Sequence, residues 1–135
     1  MALKNDYQRV AERSLSACDG TLGANIQEKA AFLAYHAFES TGCALASHMC
    51  LPVGAHIAHA KKIKHFTDAA RAFGNEKAVA ALAVTLTGLR NSFLYPVENP
   101  ATGVHDLPET KITVAQAREL RKRVGGVVSW VSKAL

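Results

Sequence analysis

The sequence has no apolar run approaching the roughly 18 residues that a membrane-spanning helix needs. Its first residues, Met1-Ala2-Leu3-Lys4-Asn5-Asp6, lack the apolar stretch of a signal peptide, so the expectation is a cytoplasmic protein with no membrane contact. Cysteine is scarce and odd in number: Cys18, Cys43 and Cys50 show neither CxxC spacing nor a disulfide framework, and read as small, reduced core residues. Proline is also rare, and three of its four positions, Pro96, Pro100 and Pro108, crowd into one segment. Period-two alternation, internal repeats and low-complexity stretches are missing, which argues against sheets, solenoids and disordered tails. Acidic residues are the minority: 16 Lys and Arg against 11 Asp and Glu leave a net charge of +5, which favours an anionic partner.

What remains is material for helices. In 135 residues, 49% hydrophobic and 20% charged, there is enough apolar surface for one core, and a single all-α domain is expected: an up-and-down bundle of about five helices. The first helix is predicted over 3–18, with Tyr7, Val10, Leu15 and Cys18 inward and Asp19-Gly20 as its stop. The second runs over 24–50 from a cap near Gly23 or Asn25 to Leu51-Pro52, where proline disfavours continuation. Its stripe is Ile26, Ala30, Leu33, Ala37, Ala44 and Leu45, and the alanines with Gly42 point to a closely packed neighbour.

A third helix over 60–73 buries Ile63, Phe66, Ala70 and Phe73. A fourth, from an Asn75 cap to Leu94, buries Val79, Leu82, Leu86, Leu89 and Phe93. A loop of roughly 17 residues follows, long enough to suggest a function. The last helix opens with the capping-box pattern Thr113-Val114-Ala115-Gln116 and buries Ala117, Leu120, Val124, Val127, Val131 and Leu135. Gly88, Gly125 and Gly126 lie inside helices, where each costs about 1 kcal/mol relative to alanine; close helix approach would explain them. A bend at Gly125-Gly126 would turn Trp130 and Val131 toward a second subunit.

The residues with chemical potential gather at the end of the fourth helix. Arg90 and Asn91 interrupt an apolar run just before it stops, and Tyr95 lies four residues after Asn91, on the same face if the last turn is regular. An arginine grips phosphate with a planar fork of donors that a neighbouring amide or phenol can orient. Capping of C-terminal carbonyls by Arg90 is the competing explanation. His36 and Glu39, three apart on the second helix, form either an oriented acid–base pair or a hydrogen-bonded pair that fixes helix register. His56, His59 and His65 invite a metal, but no carboxylate or cysteine lies close enough in sequence to complete a set, so no metal or other cofactor is expected. His59 is also a candidate cap of the third helix. Lys61, Lys62 and Lys64, and Arg118 with Arg121-Lys122-Arg123, would either track a phosphate backbone or form solvated faces.

Taken in order, Ala34-Tyr35-His36-Ala37-Phe38-Glu39-Ser40 and Ala44-Leu45, the His59 turn into Lys61-Lys62-Ile63, and Leu89-Arg90-Asn91 before a proline-rich loop and a final amphipathic helix, the chain resembles the HEPN superfamily over nearly its whole length. The resemblance implies a homodimer in which the Arg-Asn segments of both protomers face a shared cleft. Many members of that superfamily are metal-independent endoribonucleases of defence and toxin systems; others bind nucleotides, RNA or a partner protein. Their catalytic pattern places a histidine four to six residues after the arginine. Arg90 and Asn91 fit, but residues 92–97 contain no histidine, and Tyr95 stands in that window.

The departure matters because attack by a ribose 2′-hydroxyl needs proton transfer near neutral pH, which suits imidazole at about 6.5 and not phenol at about 10. The expectation is therefore a catalytically degenerate domain in which Arg90, Asn91 and Tyr95, with His36, Glu39, His59 and Lys62 nearby, bind RNA, a nucleotide or another phosphate-bearing ligand. An active ribonuclease is the alternative, with protons handled by Tyr95 or by a histidine brought from His36, His59 or His105. A structural bundle that binds a protein encoded beside it is the third reading.

Overall fold

The structure, a computed structural model, describes residues 2–135. It is an all-α, up-and-down bundle of five helices: α1 Ala2–Gly23, α2 Gln27–His48, α3 His59–Arg71, α4 Glu76–Leu94 and α5 Val114–Ala134. Among the described residues, no helix is long and apolar enough to cross a membrane.

Helix α2 is the axis of the bundle, packing against each of the other four helices. Of its expected stripe, Ile26 lies exposed just before the helix, and the remaining members are only part of its contact surface. From Ala30 to Ala46 nearly every side chain is buried, including Tyr35, Phe38, Glu39 and Thr41, because a central helix has neighbours all round. Small residues permit this. A Cβ on Gly42 would stand 2.5 Å from the Phe66 ring, so α3 is seated directly on α2 at that glycine. Phe66 then packs at a tilt against Phe38, with centroids 5.1 Å apart, and reaches Trp130 of α5 at 6.4 Å.

Several helix ends differ from the sequence expectation. Helix α1 runs past Asp19-Gly20 to Gly23, and Asp19, inside the helix, accepts a two-pronged bond from Arg121 of α5, at 2.7 and 3.1 Å. The chain turns instead at Asn25, whose φ of 57° uses the left-handed region that asparagine tolerates. Helix α3 begins at His59 itself, with Ala58 as cap, and Asn75 offers α4 no side-chain cap because its amide bonds to Phe73 O. The capping box of α5 is formed on both sides: Gln116 N donates to Thr113 Oγ1 and Thr113 N to Gln116 Oε1.

The loop after α4 contains a short antiparallel ladder, β1 Val97–Glu98 with β2 His105–Asp106, although no strand was expected. Two residues per strand are too few to show alternation. A 3-10 turn at Pro108–Thr110 follows. Helix α5 continues through Gly125-Gly126 without interruption, with Val131 fully buried and the half-buried Trp130 packed against Phe66 and Phe73. Gly88 has open space over it, so no other part of the same chain approaches it closely. Cys50 also departs from expectation: it lies exposed in the turn after α2 with φ 60°, while Cys18 and Cys43 are buried.

Candidate functional site

Helices α2, α3 and α4 meet around an opening of about 380 Å³, lined by Tyr35 from α2, His59, Ala60 and Ile63 from α3, and Thr87, Arg90 and Asn91 from α4. Tyr35 forms its floor. The Arg90 guanidinium lies over the Tyr35 ring, 5.6 Å from the centroid, within the range of a cation–π contact. Arg90 also donates from Nη1 to Asn91 Oδ1 at 3.3 Å, while its buried Nε has no hydrogen-bond partner. Among the described residues Arg90 joins no ion pair, unlike Lys62, Lys64, Arg71, Lys111 and Arg121. A half-buried cation over an aromatic ring without a counter-charge has unused capacity for an anion.

Behind Tyr35 lies a polar cluster centred on Glu39. Its Oε2 accepts the Tyr35 hydroxyl at 2.8 Å and faces His59 Nδ1 at 2.6 Å, while its Oε1 accepts from Lys62 Nζ at 3.3 Å. Burial alone would push the Glu39 carboxyl up, but the Tyr35 hydroxyl, His59 and the Lys62 ammonium outweigh it and hold the group below the usual carboxylate range. The same cluster moves Tyr35 the other way. Burial and the adjacent carboxylate push its phenol well above the ordinary value, so it stays a hydrogen-bond donor. An ionised Glu39 requires a proton on His59 Nδ1 for their bond. That leaves Nε2 of a neutral His59 as an acceptor, without a protein partner among the described residues.

Of the residues singled out in the sequence, Arg90, Asn91 and His59 share this opening, and Glu39 and Lys62 stand directly behind it. His36 does not pair with Glu39. Three residues along a helix leave two side chains about 60° apart, and on α2 that separates a buried position from an exposed one. Exposed His36 stacks on Phe32 at 6.5 Å, and lines a separate hollow on the far side of Glu39. Tyr95 is displaced too: as the C-cap of α4 it leaves the helix in extended conformation, 61% exposed and outside the opening.

His105 sits exposed in β2, away from the residues that line the site, and His65 is tied to Pro52 O at 3.0 Å. The lysine cluster is divided by its contacts, with Lys62 turned to Glu39 and Lys64 to Asp68. Tyr35 was missing from the sequence-based set. Its spacing of four from Glu39 on one helix was the available signal, since such a pair shares a face.

Another opening, of about 320 Å³ between α4 and α5, is less suited to polar recognition. Its Thr85 hydroxyl donates to Ala81 O, Gln116 serves the capping box, and Lys111 pairs with Asp106.

No family model and no curated protein matches the chain. Among solved structures, the crystal structure of TT1696 from Thermus thermophilus superposes over 100% of both chains with a TM-score of 0.75, at 20% sequence identity. The likeness is one of fold. It shows that this five-helix arrangement occurs in a crystal structure, and the chemistry of the opening rests on the side chains described above.

Proposed function

We propose that the chain is a HEPN-type domain that holds a phosphate-bearing ligand, RNA or a nucleotide, in the opening between α2, α3 and α4. The observation that carries this reading is Arg90: a cation stacked on Tyr35, without a carboxylate partner, beside the amide of Asn91. Its fork would bind phosphate oxygens and Asn91 would orient them. Ala60, Ile63 and the Tyr35 ring supply apolar surface beside the charge, which suits a nucleoside better than an inorganic ion.

The resemblance adds a homodimer whose cleft is shared by two protomers. The outer face of α4 supports it, since Ala81, Val84, Thr87, Gly88 and Asn91 are uncharged and lie at least partly open to solvent, with Val84 75% exposed. Size-exclusion chromatography with light scattering tests that part. A dimer that Val84→Lys converts to monomer is the expected result, and a monomer at high concentration overturns it.

Binding is tested by calorimetry with adenosine monophosphate and with a short unstructured RNA. Arg90→Ala should weaken both by about 10-fold or more, the loss expected for a charged hydrogen-bonding group. Equal affinity of the variant and the natural protein would leave a structural or partner-binding bundle as the better description.

A further inference from the structure

On the far side of Glu39 from the Arg90 opening, α1, α2, α3 and the loop before α3 enclose a second hollow of about 210 Å³. None of the residues around the opening lines it. His36, Ser40 and Cys43, spaced by four and three, give it one face of α2, Lys62 enters from α3, and Val10 and Ala55 supply apolar wall. We propose that this hollow is a second ligand site, for the anion of a short-chain monocarboxylic acid.

Unused hydrogen-bond donors carry the proposal. Among the described residues Lys62 Nζ has one partner, Glu39 Oε1 at 3.3 Å, although an ammonium offers three donors and this side chain is only 15% accessible. The Ser40 hydroxyl, in a residue 6% exposed, has no hydrogen bond among the described residues, not even to the preceding turn of its own helix. Cys43, 5% exposed, is likewise unpaired, and burial pushes its thiol up to about 11, so it stays a neutral, weak donor. Buried polar groups normally have partners, and spare donors on three side chains around one hollow call for an acceptor inside it.

The sign and size of the ligand follow from the walls. Glu39 already answers the Tyr35 hydroxyl, His59 and Lys62, so an amine would find no free carboxylate there. A carboxylate would share Lys62 with Glu39, as an ammonium with two spare protons allows, and accept from Ser40. Val10 and Ala55 offer apolar surface to the remainder, and a second charged group would face Glu39 without a cation of its own. The volume equals that of about seven liquid waters at about 30 Å³ each, which matches a chain of about five carbons with its two carboxylate oxygens.

Valerate is the probe. Sodium valerate titrated into the isotope-labelled full chain at constant ionic strength should shift the amides of Ser40, Cys43 and Ala55, with a dissociation constant of about 1 mM or below, the range open to a ligand of this size. Pentanamide, its neutral isostere, should bind about 10-fold more weakly, and pentylamine and glutarate more weakly still. Val10→Trp, which fills the hollow from an exposed position, should weaken valerate about 10-fold or more, and Ser40→Ala about fivefold. Lys62→Met should abolish binding. It also leaves buried Glu39 without its counter-charge, so Val10→Trp and Ser40→Ala, which keep that pair, decide the matter if the variant does not fold.

No amide shift at about 20 mM valerate overturns the proposal and leaves a hollow that holds only water. Affinity unchanged in both Val10→Trp and Ser40→Ala overturns it as well. Pentylamine that binds more tightly than valerate has the same effect, since Glu39 would then be the recognising group. Valerate whose shifts centre on Thr87 and Asn91 and vanish in Arg90→Ala has entered the opening instead, which removes the second site and leaves the phosphate-binding reading standing.

Discussion

Glu39 answers three donors at once, and its ionisation ties the site to the stability of the fold. Because its pKa is lower in the folded chain than the ordinary 4.5, the stabilisation it provides is complete above that value and is lost as pH falls through the folded pKa. Urea unfolding midpoints should therefore drop as pH falls below about 4.5, and Glu39→Gln should flatten part of that drop. At neutral pH the same substitution should cost about 1–3 kcal/mol, since Lys62 loses its counter-charge. The cysteines differ for a related reason. Burial pushes the thiols of Cys18 and Cys43 up to about 11, whereas Cys50 is exposed, so a thiol reagent on the native protein should modify Cys50 alone in the fast phase.

Arg90 and Asn91 were readable in the sequence because a polar pair in an apolar helix breaks a local pattern. The bond between Glu39 and His59 was not, since residues twenty apart are brought together by the packing of α3 on α2.

At the scale of elements, glycine gives the sharpest contrast. Gly42→Ala would force a methyl group into the Phe66 ring and should destabilise the fold by about 1–3 kcal/mol. Gly88→Ala, on the open face of α4, should stabilise the isolated protomer by about 0.5–1 kcal/mol. Chemical denaturation of the two variants side by side checks both signs. If α4 pairs with a second copy at that face, Gly88→Ala should also weaken the dimer. Thr113→Ala removes one side of the capping box and should cost about 1 kcal/mol.

Helices α4 and α5 followed their periodic patterns closely, as elements with one buried face do. Helix α2 gave only a fragment of its contacts, because burial on every side leaves no polar face to define a stripe. The end of α1 lies beyond Asp19-Gly20 because a glycine inside a helix is tolerated, and the turn falls at Asn25, where the backbone takes a positive φ.

For the whole molecule, the net charge of +5 and the opening make separable contributions to nucleic-acid binding. Attraction from exposed Lys61, Arg118, Lys122 and Arg123 is diffuse and should fade as salt rises. The Arg90 contribution is a short-range bond on a half-buried group. Raising salt should thus bring the RNA affinity of the natural protein toward a residual value that Arg90→Ala lacks, a comparison made by repeating the titration at several ionic strengths.

The aromatic contact of α5 with α3 has an experimental use. Trp130, the sole tryptophan of the chain, lies against Phe66 and Phe73, and Phe66 rests on Gly42 of the central helix. One intrinsic fluorophore therefore watches the seam where three helices join. Its emission will report when α3 docks during refolding, and whether ligands entering beside His59 tighten or loosen that helix, with no label attached.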